Sequence, residues 1–213
     1  MTPELPTETI GGKTFLAPGR VYDGQGNEKD TQRHSCESPT FYAIFPFRLF
    51  GVDKPKLVLA IDSYRRALDV AHAFQPFTLG NTPLSPSYSG WQQVGPVAAL
   101  LGLTDDAKTV LVNNSALNNP GNRFPAMWGP TYDAVPDSDH AANLLTTLQL
   151  MAFQTDGDKI LVLPAWPKKW NVSFKFRAPK NTTVELVYRD GKVEKLEVIP
   201  AARSKDVLLM CGP

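Results

Sequence analysis

Periodicity along the chain predicts an α+β fold in which helices come first and a small antiparallel β region follows. Apolar residues recur at helical spacing in stretches that open near Leu57, Trp91, Thr104 and Asp139. Past Gly157 the pattern changes to short alternating runs. Long Pro- and Gly-rich connections separate the helical stretches, as expected of shaped loops laid over a scaffold. The chain divides on this reading into a lead-in arm (1–54), a helical part (55–157) and a β module (158–213).

The arm is rich in Pro, Gly and charge, with one strand-like piece at Lys13–Leu16, and is expected to be mostly irregular with room for a hairpin, either ordered on a partner surface or partly disordered. Residues 41–50, FYAIFPFRLF, are too apolar to be exposed and are expected as a buried loop or short helix. Asp53 precedes a helix signal with Pro55 in its first turn. Leu57, Ala60, Ile61, Tyr64, Leu68 and Ala71 then mark an amphipathic helix. Residues 74–90 form a long loop, and a helix from Trp91 to Leu101 follows, ended by Gly102. Thr104 caps the next helix, with Asp105 and Asp106 where the helix dipole favours negative charge. The fourth helix, 139–155, is apolar nearly all round and so is expected inside a larger assembly. Strands are expected at 159–163, 171–177, 182–189, 192–198 and 206–210, with Asp190-Gly191 as a two-residue hairpin turn.

Composition excludes several function classes. The 22 Lys and Arg against 21 Asp and Glu are scattered, so no nucleic-acid or anionic-membrane partner is expected. No apolar run reaches the roughly 18 residues of a membrane span, and the N-terminus MTPELPTETIGGK lacks the pattern of an export signal, which leaves the compartment open. Cys36 and Cys211 make neither a disulfide framework nor a metal-ligand spacing, so no metal is expected. Three Asn-X-Ser/Thr triplets, at Asn113, Asn171 and Asn181, match an acceptor pattern that is common by chance.

The densest polar and aromatic group is RFPAMWGPTYDAVPDSDH, residues 123–140, at the start of the fourth helix. Asp139 there is either a carboxylate facing a cleft, able to act as general base on water, or a helix cap worth about 1 kcal/mol. Ser138 could serve as the cap instead. His140 is either a polar ligand for a sugar hydroxyl or a half-buried structural residue. Trp91, Trp128 and Tyr132 offer rings that can stack on a pyranose or fill a core. Asp133 and Asp137 are either second carboxylates or exposed loop acids. Trp166 and Trp170, in LPAWPKKW, read as wedges between helices and β module.

LQLMAFQTDGDKILVLPAWPKKW resembles the end of the barrel in six-hairpin (α/α)6 glycosidases, most of all the bacterial α-L-fucosidase family of glycoside hydrolases (family 95) and its uncharacterised relatives. That family carries Q-I-D-G-N-F-G, a helix ending in L-L-Q-S, then L-L-P-A-L-P and a Trp. With its Gln-Ser on Gln154-Thr155 and its Leu-Pro-Ala-Leu-Pro on 163–167, the family's aspartate falls on Asp139 without a gap. His-Ala-Ala follows here in place of Gly-Asn-Phe-Gly. GWQQVGPVAALLGLTDDAK is similar to the helix pairs of such barrels, and TVELVYRDGKVEKLEV to their C-terminal sandwich.

The resemblance implies a partial (α/α) toroid of about four helices, followed by a C-terminal antiparallel β-sandwich module. It implies hydrolysis of a glycosidic bond in an oligosaccharide or glycoside by an inverting mechanism, with Asp139 as base and without cofactor. Trp91, Trp128, Tyr132, His140, Arg123 and Asp137 would bind the sugar. Four helices are too few for a closed barrel, which implies a missing N-terminal domain or partner chain. Nothing marks Glu4, Glu8 or Glu37 as the general acid. The alternative is a non-catalytic carbohydrate-binding or structural module.

Overall fold

The computed structural model describes residues 4–17, 21–22, 24–25, 28–29, 39–74, 78–79, 82–83, 93–116 and 139–210. Its element order mixes helices and strands in one α+β chain. Strands β1 (Thr7–Ile10) and β2 (Lys13–Leu16) form an antiparallel hairpin in which Thr7 faces Leu16. Gly11 and Gly12 turn it with positive φ, 58° and 78°, a conformation that costs glycine least. Two two-residue strands, β3 (Val21–Tyr22) and β4 (Glu28–Lys29), pair next. A 3-10 helix at Pro39–Ala43 leads to α1 (Leu57–Phe74), and β5 (Thr78–Leu79) pairs with β6 (Thr82–Pro83) beyond it.

The hairpin at the strand-like piece Lys13–Leu16 is docked on α1. Leu16 is buried, its N–H donates to Ser63 Oγ at 2.8 Å, and Arg66 reaches both Glu8 (3.4 Å) and the face of Phe15. The partner surface that the arm's composition demands is therefore α1 itself. On α1, Ala60, Tyr64 and Ala67 are buried while Leu57, Ile61 and Leu68 pack at the margin, so the predicted stripe is the packed one. Asp53 does not start this helix: three residues separate it from Leu57, and its side chain is buried elsewhere.

Helix α2 (Val94–Leu100) is buried at every position. Gly102, at φ 73°, turns the chain into α3 (Thr104–Ala116), and α4 (Asp139–Ala152) completes the layer. Gly95 is where these three helices meet. A Cβ there would collide with Thr147 Oγ1 and lie 3.1 Å from Val110 Cγ1. Farther along, Gln154 Nε2 donates to Ala99 O at 2.8 Å. Contacts in that sequence make α2 and α4 run the same way, with α3 reversed between their ends.

The fourth helix stops at Ala152 instead of continuing to residue 155, and Phe153–Asp156 is strand β7. Its last carbonyls are taken from outside: Leu163 N donates to Ala152 O at 2.8 Å and Ala165 N to Met151 O at 3.1 Å. The Leu-Pro-Ala-Trp corner thus does the work of a C-cap, and the periodicity runs on only because Phe153 is buried in the strand as well. Nor is α4 covered all round: Leu145 and Leu148 are 68% and 39% exposed.

Strand β7 pairs antiparallel with β8 (Lys159–Val162) across Gly157. Strands β9 (Val172–Ala178), β10 (Thr182–Arg189) and β11 (Lys192–Ile199) form an antiparallel sheet in the order β11-β10-β9. Its two turns, Lys180-Asn181 and Asp190-Gly191, have positive φ at both residues, the left-handed pair a tight hairpin uses. A 3-10 helix at Ala201–Asp206 then brings back β12 (Val207–Leu209). The β region is not wholly antiparallel, because β12 pairs parallel with β8. The β9–β11 meander and the 3-10 helix act as one crossover, which lets the chain return in its original direction.

Alternation decides the faces. Val184, Leu186 and Tyr188 of β10 are buried, and Phe174 and Phe176 of β9 meet the Phe153 ring of β7 at 5.9 and 5.4 Å. Trp166 is buried, its Nε1 donates to Trp170 O at 2.8 Å, and the two rings meet edge to face at 5.7 Å. One apolar cluster runs from α1 and α2 through this corner into β10. Buried Arg203 ties the 3-10 helix to Thr182 Oγ1 (3.0 Å), Asp158 O (3.0 Å) and Asp206.

Candidate functional site

The directions of α2, α3 and α4 give the layer two unlike ends. Asp139 and His140 are the first two residues of α4, and their backbone is described. Asp139 stands about two turns before Thr147, which at 1.5 Å per residue is roughly 12 Å beyond the Gly95 crossing. Val94, the start of α2, and Ala116, the end of α3, face this same end. The connection from Ala116 to Asp139 leaves and re-enters here, and it carries Arg123, Trp128, Tyr132 and Asp137 in its sequence. Those four, with Trp91, Asp133 and Ser138, lie outside the described residues, as do Cys36 and Cys211. Among predicted site residues, then, only the backbone of Asp139 and His140 is placed.

Spacing adds a neighbour. Asn143 follows Asp139 by one turn on the same face of α4, and Thr147 follows Asn143, with Thr147 Oγ1 donating to Asn143 O at 2.7 Å. Thr147, two turns into α4, packs against Gly95 of α2. Among the described residues, no three His, Cys, Asp or Glu side chains gather as metal ligands.

At the opposite end lies a polar centre that sequence reading passed over. Arg48, at φ 47°, turns its side chain inward, so that its guanidinium donates to Thr155 O and to Gln154 Oε1 (3.3 Å). Gln154 is itself buried and donates to Ala99 O and Leu150 O. The Asp53 carboxyl, 4% exposed, faces Arg48 Nη2 at 3.7 Å and Lys159 Nζ at 3.8 Å. Beside it Lys54 pairs with Asp156 at 2.7 Å, and that hydrogen bond, with Lys54's charge, holds the Asp156 carboxyl below the usual carboxylate range. The available signal was a lone arginine inside FYAIFPFRLF. An Arg in so apolar a run must point into a polar partner or out to water, and here Phe47 and Leu49 are exposed on either side because Arg48 turns in.

On α1, burial raises the Tyr64 hydroxyl pKa well above its ordinary value, and the nearby Asp106 charge adds to that. Asp106 also pairs with Arg65. No family model matches the chain, and no curated protein is significantly similar to it.

Proposed function

We infer that the chain is glycoside hydrolase-like, with the four helices as part of an (α/α) toroid and the two three-stranded sheets as a C-terminal β-sandwich. In this reading Asp139 is the general base, taking a proton from the water that attacks the anomeric carbon. Trp91, Trp128 and Tyr132 stack on sugar rings, while Arg123, Asp137 and His140 bind hydroxyls. The observation that carries the reading is topological. The start of α4, the start of α2 and the end of α3 share one end of the layer, so the aromatic and acidic connections all issue from the end that bears Asp139. Inverting hydrolysis also requires an acid roughly 6.5–9.5 Å from the base. We assign none, and the reading has it supplied from an N-terminal domain or a partner chain.

The test compares wild type with Asp139→Asn on a glycan array, by calorimetry and in a hydrolysis assay. A base of this kind contributes about 10²- to 10⁴-fold in rate, so turnover should fall by that factor while glycan binding and unfolding temperature hold. Glycan binding by both proteins with hydrolysis by neither means a sugar cleft without its acid partner, and absence of turnover on adding the N-terminal domain or partner chain then favours the other reading, a non-catalytic carbohydrate-binding module. Binding of no glycan by either protein overturns both.

A further inference from the structure

We propose that the Arg48–Asp53 centre is a built hydration site, in which one buried water joins Arg48 Nε to the Asp53 carboxylate. Among the described residues, the buried side-chain nitrogen and oxygen atoms without a hydrogen-bond partner are Arg48 Nε, Asp53 Oδ1 and Asp53 Oδ2. All three belong to one facing pair, a donor and two acceptors. Their groups are of opposite charge, yet the closest approach is 3.7 Å, outside direct hydrogen-bond range. A polar separation of that size between buried groups is the usual signature of a bridging water.

The surrounding backbone fixes the spacing. Val52 N donates to Leu100 O at 2.8 Å and Lys54 N to Gly51 O at 3.0 Å, so the turn bearing Asp53 is pinned to the end of α2. Arg48 is held just as firmly by Thr155 O and Gln154 Oε1. Arg48 cannot swing toward Asp53 without giving up Thr155 O or Gln154 Oε1, and the backbone on either side of Asp53 is fixed. Lys159 Nζ, 3.8 Å from Asp53 Oδ2, offers a further donor on the outer side. Water fits this setting because it accepts from Nε and donates to a carboxylate oxygen at once. A chloride would be repelled by Asp53, and a metal cation by Arg48 and Lys159.

The deciding experiment is a crystal structure of the whole chain at a resolution that shows ordered water, for wild type and for Arg48→Lys. The expected result is a single peak at about 2.6–3.2 Å from both Arg48 Nε and one Asp53 oxygen, absent or displaced in Arg48→Lys. Direct two-point pairing of Arg48 with Asp53, with no third atom between them, overturns the proposal. So does a peak with the anomalous signal of an ion, or a water that stays unmoved in the lysine variant. Should Arg48→Lys not fold, the wild-type density alone still decides between bridge and direct pair.

Discussion

The two ends of the helical layer are built on opposite principles. At one, Arg48, Asp53, Gln154 and the Lys54–Asp156 pair join the lead-in segment, α2 and β7 through buried polar groups, each fixed by the others. At the other, Asp139 opens α4, and among the described residues α2, α3 and α4 close on one another at Gly95. Fixed charge in the first case serves position. In the second, Asp139 opens α4, and the proposed function gives it a chemical role. Asp53, with its side chain 4% exposed and facing two cations, is the structural carboxylate of the pair.

The sharpest way to break this comparison is Arg48→Ala. It removes one of the two cations facing the Asp53 carboxyl, with Lys159 remaining, and leaves Gln154 Oε1 and Thr155 O without the Arg48 donor. Removing one partner of a buried ion pair costs about 3–5 kcal/mol. Urea unfolding should show a loss of that size for Arg48→Ala, against about 1 kcal/mol or less for Asp139→Ala, the value of a helix cap. Equal losses at the two positions would mean that Asp139 is as structural as Arg48.

Gly95 is next in size. Gly95→Ala drives a Cβ into Thr147, and overpacking of this kind costs about 1–3 kcal/mol, less roughly 1 kcal/mol regained from alanine's helix propensity. Thr147→Ala in the same chain should restore most of the loss. Amide exchange sharpens the point: Gly95→Ala should expose the first half of α4, toward Asp139, more than the Gln154 end. Uniform exposure along α4 would show that the crossing does not isolate the two ends.

Much of the helical part could be read from apolar spacing, because burial repeats with the helix. The stripe of α1, the Gly102 turn, the start of α3 and the strands after Gly157 were legible in this way. Asp190-Gly191 was legible because its chemistry is local. What escaped was non-local. The end of α4 depends on carbonyls met by Leu163 and Ala165 from beyond β8, and nothing inside the helix encodes that. The parallel return of β12 depends on a crossover through a whole sheet. Asp53 looked like a helix start because Pro55 follows it, whereas its burial is set by Arg48 and Lys159. Of the candidate site, the position of Asp139 at a helix start could be read, while the Arg48 centre could not, since Gln154 and Thr155, which hold its guanidinium, lie over a hundred residues away.

Acid titration offers the finest discrimination between the ends. Lys54 holds the Asp156 carboxyl below the usual range, first through their hydrogen bond and then through its charge. The folded protein therefore releases that proton at lower pH than the unfolded chain does. Stability from the pair is whole above the ordinary carboxylate value near 4, and it is lost as pH falls through the lowered one. With both groups partly exposed, solvent screening keeps the contribution below about 1 kcal/mol. Lys54→Met should flatten the wild-type fall in stability between about pH 5 and pH 2 while leaving the stability of Asp139→Asn relative to its own parent unchanged. If instead the two substitutions fail to add, the ends are coupled through α4, and the separation between a structural end and a chemical end does not hold.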